Sequence, residues 1–259
     1  MLPTLFLSHG SPMTVLTDTP GHRFLAGLGA AVPRPKAILM ASAHWLTIGP
    51  ALSAPAANET IHDFSGFPPP LYACRYPAPP APDLARRAAG LLDDAGLGAA
   101  IDPRRGLDHG AWVPLLLAWP KADIPVAQLA IQPRRDPAHH LAVGRALAPL
   151  AQEGVLVIGS GSFTHNLGRI RREAAGATDA PDVAAFSEWM DAALEQGRTE
   201  DLLAYRTRAP YAAEQHPTDE HLLPLYVALG AAGEGAKAER LHASVDYGVL
   251  RMDAFAFRQ

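Results

Sequence analysis

Short apolar runs alternate along the chain with segments of helical periodicity. Apolar runs of this length, separated by amphipathic helices, are typical of the strands of α/β folds. The sequence predicts strands near residues 3–7, 37–41, 125–131, 155–158, 240–245 and 248–255, the last two as a hairpin around Asp246 and Tyr247. We therefore predict an α/β fold with one domain, residues 1–259, in which a central mixed sheet is flanked by helices.

Helical periodicity is clearest in two segments. One covers residues 83–95, with Asp83 as its candidate N-cap, and the other covers about residues 181–196. Each carries an apolar face that we expect to pack on the sheet. A third helix follows His221, and it must begin late enough to accommodate Pro224 or bend at that residue.

The composition is that of an ordinary globular enzyme. Of the 259 residues, 48% are hydrophobic and 19% are charged, and the formal net charge is −4. Without a run of Lys or Arg, neither nucleic acid nor an anionic membrane is the expected partner. The chain has no basic leader and no apolar stretch of membrane-spanning length, so we expect a cytoplasmic protein that acts on a small molecule. The single cysteine, Cys74, can form no internal disulfide and is expected to be a packing residue.

Four histidines stand at the ends of apolar segments. His9, His44 and His165 each follow a short apolar run, and His221 opens the last long apolar segment. In open α/β sheets, residues beyond the carboxyl ends of the strands meet in one crevice, even when they are far apart in sequence. Any one of these histidines could be a surface or core residue, but three or four imidazoles together suffice to bind a metal. Their positions therefore predict a metal site at the C-terminal ends of the strands.

Six short motifs follow one another along most of the chain. They are LSHGSPM at 7–13, SAHW at 42–45, IHDF at 61–64, DHGAW at 108–112, FTHNL at 163–167 and EHLLPL at 220–225. In this order they resemble the motifs of the DODA-type (4,5-DOPA dioxygenase-like) branch of the class III, LigB-like extradiol dioxygenases. The resemblance implies a metal-dependent enzyme that uses O2 to open a catechol ring next to, rather than between, its hydroxyl groups, which gives a semialdehyde.

The resemblance also implies a role for five histidines. His9, His44 and His221 fall on the metal ligands of the family, His165 on its acid/base histidine and His109 on its second active-site histidine. His221 stands where the wider class III group has a Glu, as it does in the DODA-like branch. His165 would exchange a proton with the substrate, or become a fourth ligand if its ring turns inward.

The expected ligand set suits more than one metal. Three neutral imidazoles leave the full positive charge on the ion, which attracts a catecholate. Zinc fits the same ligands but has no accessible redox change, so ring cleavage implies Fe(II). Three functions stay open: an extradiol dioxygenase for DOPA or another catechol, a zinc hydrolase, and a non-catalytic binder of metal or an aromatic ligand. The presence of both His109 and His165 favours the dioxygenase, which would be a monomer or a small homo-oligomer.

The remaining histidines are weaker candidates. His216, five residues before His221, is a rival for the third ligand position. His62 is equally compatible with a pocket wall and with an exposed loop. The histidines expected to be structural or exposed are His22, His139, His140 and His242.

Two further segments bear on the site. Thr218 and Asp219 form a candidate N-cap region before His221, and Glu220 is expected to lie beside the ligands rather than to bind the same ion. Residues 64–82 are rich in aromatic residues and prolines, which stiffen a loop, so this segment could be a wall or lid over a flat substrate or merely a covering loop.

Overall fold

A mixed β-sheet forms the centre of the molecule in the computed structural model, which describes residues 1–170 and 178–259. Within these residues the sheet has eight strands, in the order β4-β3-β5-β2-β6-β1-β10-β7, and β8 and β9 form a separate pair. The strands are β1 (Thr4–Ser8), β2 (Ala37–Leu46), β3 (Ala51–Ser53), β4 (Ala100–Asp102), β5 (Val126–Ile131), β6 (Val155–Gly161), β7 (Lys237–His242), β8 (Val245–Asp246), β9 (Leu250–Arg251) and β10 (Ala254–Arg258).

The four strands at the middle of the sheet run parallel. β2 pairs in parallel with both β5 and β6, and β6 pairs in parallel with β1. Antiparallel pairs flank this core, with β3 on β5 at one side and β10 between β1 and β7 at the other. Parallel strands are covered on both faces, which explains why their sequences are nearly continuous apolar runs.

Helices cover both faces of the sheet. They are α1 (Pro20–Ala31), α2 (Pro69–Ala73), α3 (Pro82–Asp94), α4 (His109–Ala118), α5 (Pro137–Leu147), α6 (Pro149–Gln152), α7 (Pro181–Glu195), α8 (Thr199–Leu203), α9 (Tyr205–Arg208), α10 (Ala212–Gln215) and α11 (Leu223–Ala231). Short 3-10 turns add Pro12–Val15 and Leu167–Arg169.

Side chains that alternate along the strands enter two separate cores. Phe6 of β1 faces the core shared with α3, α5 and α11, whereas its neighbours Leu5 and Leu7 face the core shared with α1 and α4. Successive residues of a strand point to opposite faces, so one buried strand supplies both cores. The predicted α/β class, with a central mixed sheet between helices, is confirmed, whereas the domain limits at residues 1 and 259 stay a prediction.

The helix starts differ from the sequence prediction. α3 begins at Pro82 with Ala81 as its N-cap and no side-chain cap, so the predicted cap at Asp83 is wrong. Pro82 has no N–H to be capped and already has the backbone φ of a helix, which makes a side-chain cap dispensable. α7 covers the predicted segment almost residue for residue.

The helix that follows His221 begins late enough to accommodate Pro224, which was one of the two predicted alternatives. α11 begins at Leu223 and takes Pro224 into its first turn, where proline is tolerated. Its N-cap is Leu222, so the N-cap region predicted at Thr218 and Asp219 is wrong. Both of those side chains bond to groups outside the helix instead.

The C-terminal hairpin is divided into two antiparallel pairs. β7 pairs with β10, and the short strands β8 and β9 form their own ladder around Tyr247, which has a positive φ of 54°. The predicted boundaries at 240–245 and 248–255 are therefore wrong. Met252 and Asp253 separate β9 from β10: the N–H of Met252 donates to the carbonyl of Ser244 at 2.8 Å, and the carbonyl of Asp253 accepts from the hydroxyl of Ser8 at 2.9 Å.

Within the residues that the structure describes, no helix has both the length and the apolar character needed to cross a membrane.

Candidate active site

Three of the predicted histidines meet at the C-terminal ends of the central strands. His9 directly follows β1, and His44 lies near the end of β2, where the pairing with β5 shifts register between Ser42 and Leu46. His221 comes from the turn before α11. Nε2 of His44 lies 3.1 Å from Nε2 of His9 and 3.2 Å from Nε2 of His221.

Two glycines of β6 allow His221 to come this close to the sheet. A Cβ on Gly161 would lie 2.0 Å from the carbonyl oxygen of His221, and a Cβ on Gly159 would lie 2.0 Å from that of Pro224. The backbone N–H of Ser162 donates to the same His221 carbonyl at 2.8 Å. Backbone-to-backbone contact therefore fixes the height of His221 over the strand ends.

Hydrogen bonds at the far side of two rings fix which nitrogen carries the proton. The hydroxyl of Ser160 donates to the carbonyl of Gly110, so its oxygen must accept from Nδ1 of His9, at 3.1 Å. Nδ1 of His221 lies 3.1 Å from Oε1 of Glu220, a carboxylate that can only accept. Both rings are thus Nδ1–H tautomers. Their Nε2 atoms carry lone pairs, and both of these atoms lie next to Nε2 of His44.

His44 follows the same pattern more loosely, because its Nδ1 lies 3.5 Å from Oδ2 of Asp63. Three lone pairs directed at one small space repel one another unless a cation lies between them. Nitrogen atoms bound to one metal at roughly 2.0–2.1 Å are about 3 Å apart, close to the distances from Nε2 of His44 to the other two Nε2 atoms. The donor set and its spacing therefore fit a divalent metal.

Burial keeps the three imidazoles neutral. It lowers the pKa values of His9 and His221 well below 6.5, and the neighbouring histidines add to the effect. Burial also lowers the pKa of His44 to about 4, although Asp108 and Asp63 oppose the shift. At neutral pH the rings therefore keep the lone pairs that a metal needs.

The two histidines predicted to act on substrate lie against this cluster. The ring of His165 stacks on that of His221, with centroids 3.4 Å apart and an angle of 10° between the planes. The ring centroid of His109 lies 3.8 Å from that of His44. Burial lowers the pKa of His165 to about 4, partly opposed by Glu220, so His165 is neutral at pH 7 and able to accept a proton.

Asp63 is a site residue that the sequence prediction missed. Its Oδ1 accepts from the backbone N–H of His109 at 2.9 Å, and its Oδ2 lies 3.0 Å from Nδ1 of the same residue. Burial opposes ionisation of Asp63, but the hydrogen bonds from His109 outweigh it and lower the pKa of Asp63 to about 2. The IHDF motif at 61–64 contains this acid directly after His62, which the sequence analysis named as the candidate.

The rival histidines lie elsewhere. His216 is completely buried, with Nε2 3.0 Å from the carbonyl of Phe163 and its ring against Phe186, so it is not part of the three-histidine group. His62 is not an exposed loop residue, because its Nε2 lies 3.2 Å from the carbonyl of Cys74 and its ring packs on Trp112.

Glu220 lies beside the three histidines. Glu220 and His221 both lie in the turn that precedes α11. Oε1 of Glu220 binds Nδ1 of His221, the nitrogen that faces away from the other two imidazoles. Glu220 therefore orients His221 from behind.

A cavity of about 460 Å³ opens beside the histidines. His9, His44, His109 and His165 line it together with Asp63, while Phe64 and Phe67 of the proline-rich segment form part of its wall. Leu71 and Tyr76 of that segment are fully buried. The segment is therefore a wall of the cavity, and its movement as a lid stays a prediction.

Comparison with known proteins identifies the family. The family model described as the catalytic LigB subunit of aromatic ring-opening dioxygenase matches residues 3–252. The chain belongs to this LigB family. It is similar to a Beta vulgaris protein named 4,5-DOPA dioxygenase extradiol, with 46% identity over 98% of this chain and 96% of the relative. An Escherichia coli K12 protein of the same name is 42% identical over 89% of this chain and 85% of its own.

The fold comparison agrees. A crystal structure of an uncharacterized protein from Escherichia coli K12 covers 99% of both chains with a TM-score of 0.83 and 34% sequence identity. This LigB-family chain is an extradiol ring-opening dioxygenase with a metal-binding cluster, as the motifs predicted. The family match therefore disfavours the two alternative functions, a zinc hydrolase and a non-catalytic binder.

Proposed function

We propose that His9, His44 and His221 bind one Fe(II) ion through Nε2, and that the enzyme cleaves a catechol ring beside its two hydroxyl groups. The observation that carries this proposal is the direction of the three lone pairs, which Ser160, Glu220 and Asp63 orient from the far side of the rings. A bound Fe(II) would supply the electrons that O2 chemistry requires and the charge that favours a catecholate, whereas zinc would supply the charge alone.

His165 accepts a proton from the substrate hydroxyl in this proposal. Its neutral ring lies in the cavity wall, and its position on the face of His221 brings it beside the substrate oxygens that the ion would attract. Once it has taken this proton the ring is an imidazolium, which can return the proton to an oxygen atom of the product as the ring opens.

His109 orients the substrate from the other side of the cluster. Asp63 lies against its Nδ1 and leaves Nε2 for the cavity. The two roles need histidines in different surroundings. The ring of His165 stacks on that of His221, whereas the ring of His109 lies 3.0 Å from a carboxylate oxygen of Asp63.

The substrate is a catechol with O2 as the second reactant, and DOPA is one compound to test because relatives carry it in their names. The product is a ring-opened semialdehyde. A cytoplasmic location remains part of the proposal.

Oxygen uptake and the optical spectrum, recorded together, test the reaction. Metal-free protein is loaded anaerobically with Fe(II) or with zinc and mixed with a panel of catechols. We expect O2 consumption and a new yellow band with Fe(II) alone. If no catechol of the panel gives O2 uptake or a new absorption band although Fe(II) is shown to be bound, the proposal is contradicted.

Single variants separate the ligands from the acid/base residue. We expect His9→Ala and His44→Ala to lose the metal, measured by elemental analysis after dialysis, and His165→Ala to keep it while ring cleavage falls by about 100-fold or more. His139→Ala, at a half-buried position of α5 outside the cavity lining, is the control and should keep both the metal and ring cleavage. Equal metal loss in all three site variants would contradict the division of roles.

A further inference from the structure

The backbone of His44 lies where the ladder of β2 is interrupted. β2 pairs with β6 from Ala37 to Ser42, and its register with β5 shifts between Ser42 and Leu46. Backbone N–H and C=O groups withdrawn from water need hydrogen-bond partners. The N–H of His44 donates to Oγ of Ser42 at 3.2 Å, and Nη2 of Arg105 donates to the carbonyl of His44 at 3.1 Å. Side chains therefore hold the His44 backbone where the ladder is interrupted.

One buried carboxylate joins these two side chains. The side chain of Asp108 is completely buried. Its Oδ1 accepts from the hydroxyl of Ser42 at 2.6 Å, and its Oδ2 accepts from Nη2 of Arg105 at 2.6 Å and from Nε2 of Gln128 at 2.8 Å. An interior carboxylate is costly unless it is paired and hydrogen-bonded, and a full set of donors fixes its position. Asp108 therefore holds both side chains that contact the His44 backbone.

Asp108 also holds the start of α4. It is the N-cap of this helix, because its Oδ1 accepts from the backbone N–H of Ala111 at 3.2 Å, and His109 is the first helical residue. The ring centroids of His109 and His44 lie 3.8 Å apart. The same carboxylate therefore links a histidine of the sheet to a histidine of the helix.

The guanidinium of Arg105 is oriented from a further side. It lies over the ring of Trp45, 5.4 Å from the centroid. A planar cation between an aromatic ring and a carboxylate keeps a defined orientation. The side chain of Arg105 is 20% exposed and is not among the described residues that line the cavity. Solvent therefore reaches Arg105 from outside the substrate cavity.

We propose that Asp108 and Arg105 position His44 for metal binding, and that they act on its peptide groups and not on its ring. This inference rests on the proposed role of His44 as a metal ligand. The contact of the ring itself is loose, since Nδ1 of His44 lies 3.5 Å from Oδ2 of Asp63. The backbone contacts therefore keep Nε2 of His44 at 3.1 and 3.2 Å from the other two Nε2 atoms. Arg105 and Asp108 are positioning residues in this proposal.

Arg105→Ala tests the proposal, with Arg104→Ala at the exposed neighbouring position as the matched control. We expect the affinity for Fe(II), titrated anaerobically, to fall by about tenfold in Arg105→Ala and to stay at the parent value in Arg104→Ala. Asp108→Asn, which replaces one acceptor oxygen by an amide NH2, should lose at least as much affinity. A lower free energy of unfolding with parent-like metal affinity in Arg105→Ala would make the pair structural only and would overturn the proposal.

Rescue by free guanidinium separates positioning from a general loss of packing. A guanidinium ion at millimolar concentration can enter the space left in Arg105→Ala and bridge Asp108 and the His44 carbonyl. We expect it to restore most of the lost Fe(II) affinity, whereas NaCl at the same ionic strength should not. Ser42→Ala removes the other contact to the His44 backbone, so its affinity should also fall, and guanidinium should not restore it. A loss in Arg105→Ala that guanidinium leaves unchanged would contradict the role of Arg105.

Hydrogen exchange of the metal-free protein gives a readout that does not depend on the metal. We expect the His44 N–H, followed by NMR, to exchange about tenfold faster in Arg105→Ala than in the parent, and at the parent rate in Arg104→Ala. If the parent binds no Fe(II), the proposed function fails, and the exchange rates still decide whether Arg105 holds the His44 backbone. Parent-like exchange in Arg105→Ala would overturn the inference.

Discussion

Asp63 connects two histidines of the site through one carboxylate. Oδ1 holds the backbone of His109, while Oδ2 faces Nδ1 of His109 at 3.0 Å and Nδ1 of His44 at 3.5 Å. Groups that orient metal-binding imidazoles in this way typically contribute 10–100-fold to metal affinity or activity. Asp63, which is outside the proposed ligand set, therefore orients both rings.

We predict that Asp63→Asn lowers both Fe(II) affinity and kcat by about tenfold. The Asn side chain keeps the oxygen that accepts from the backbone of His109, but an uncharged amide NH2 replaces the carboxylate oxygen that faces the two Nδ1 atoms. Metal titration and oxygen uptake measure the two effects, with Asp83→Asn at the exposed start of α3 as the control. Parent-like metal binding and turnover in Asp63→Asn would show that the carboxylate does not orient these rings.

The sequence could predict some site residues and not others, for physical reasons. The apolar run before each of His9, His44 and His165 places the imidazole at a strand end, and strand ends of a parallel sheet converge. The sequence did not identify Asp63 as a site residue because its partner His109 is 46 residues away along the chain. Periodicity also could not tell whether His216 or His221 is the third histidine of the cluster. That depends on which ring lies beside His44, and in the structure it is His221.

Close contact between β6 and the start of α11 sets the position of His221. The glycines of β6 let the His221 and Pro224 carbonyls approach where any Cβ would clash. The sequence motif EHLLPL at 220–225 therefore works only with Gly161 opposite it, a pairing of distant segments that local patterns do not reveal. The cap predicted at Asp83 is wrong for a local reason. Pro82, the preceding residue, begins the helix without a side-chain cap.

We predict that Gly161→Ala displaces the His221 backbone. The added methyl group would lie 2.0 Å from a carbonyl oxygen, so the strand or the turn must shift, at a cost of about 1–3 kcal/mol in the free energy of unfolding. Fe(II) affinity should fall as well, because Nε2 of His221 moves with its backbone. Denaturant unfolding of the metal-free protein and metal titration measure the two effects.

Gly90→Ala is the matched control for this change. Gly90 lies within α3, where an added Cβ meets nothing within 4 Å, and alanine favours helix by about 0.5–1 kcal/mol over glycine. We expect Gly90→Ala to stabilise the protein slightly and to leave metal binding alone. Equal metal affinity in Gly161→Ala and the parent would show that the close approach does not position His221.

Buried neutral histidines are distributed over the whole molecule, within and outside the site. Burial lowers the pKa values of His140 and His216 to about 4, against the usual 6.5. His140 is held neutral by its bonds, since its Nδ1 donates to the carbonyl of Asp136 and its Nε2 accepts from the backbone N–H of Gln132. His216 donates from Nε2 to the carbonyl of Phe163.

These pKa values predict that the metal-free protein is sensitive to acid. Above pH 6.5 the histidines are neutral in both states, so they leave the free energy of unfolding unchanged as the pH varies. As the pH falls from 6.5 toward 4, the unfolded chain takes up protons that the folded protein excludes. Stability therefore drops by about 1.4 kcal/mol per pH unit for each such histidine and levels off below the folded pKa.

His216→Gln tests this dependence at one position. A Gln amide can still donate to the Phe163 carbonyl but cannot take up the proton, so the slope of unfolding free energy between pH 6 and 4.5 should fall by about 1.4 kcal/mol per pH unit. Urea unfolding at pH 8 serves as the internal control, because there the variant and the parent differ in packing alone. Identical slopes would mean that His216 is protonated in the folded protein. A reduced slope would instead show that burial in the metal-free fold keeps His216 neutral.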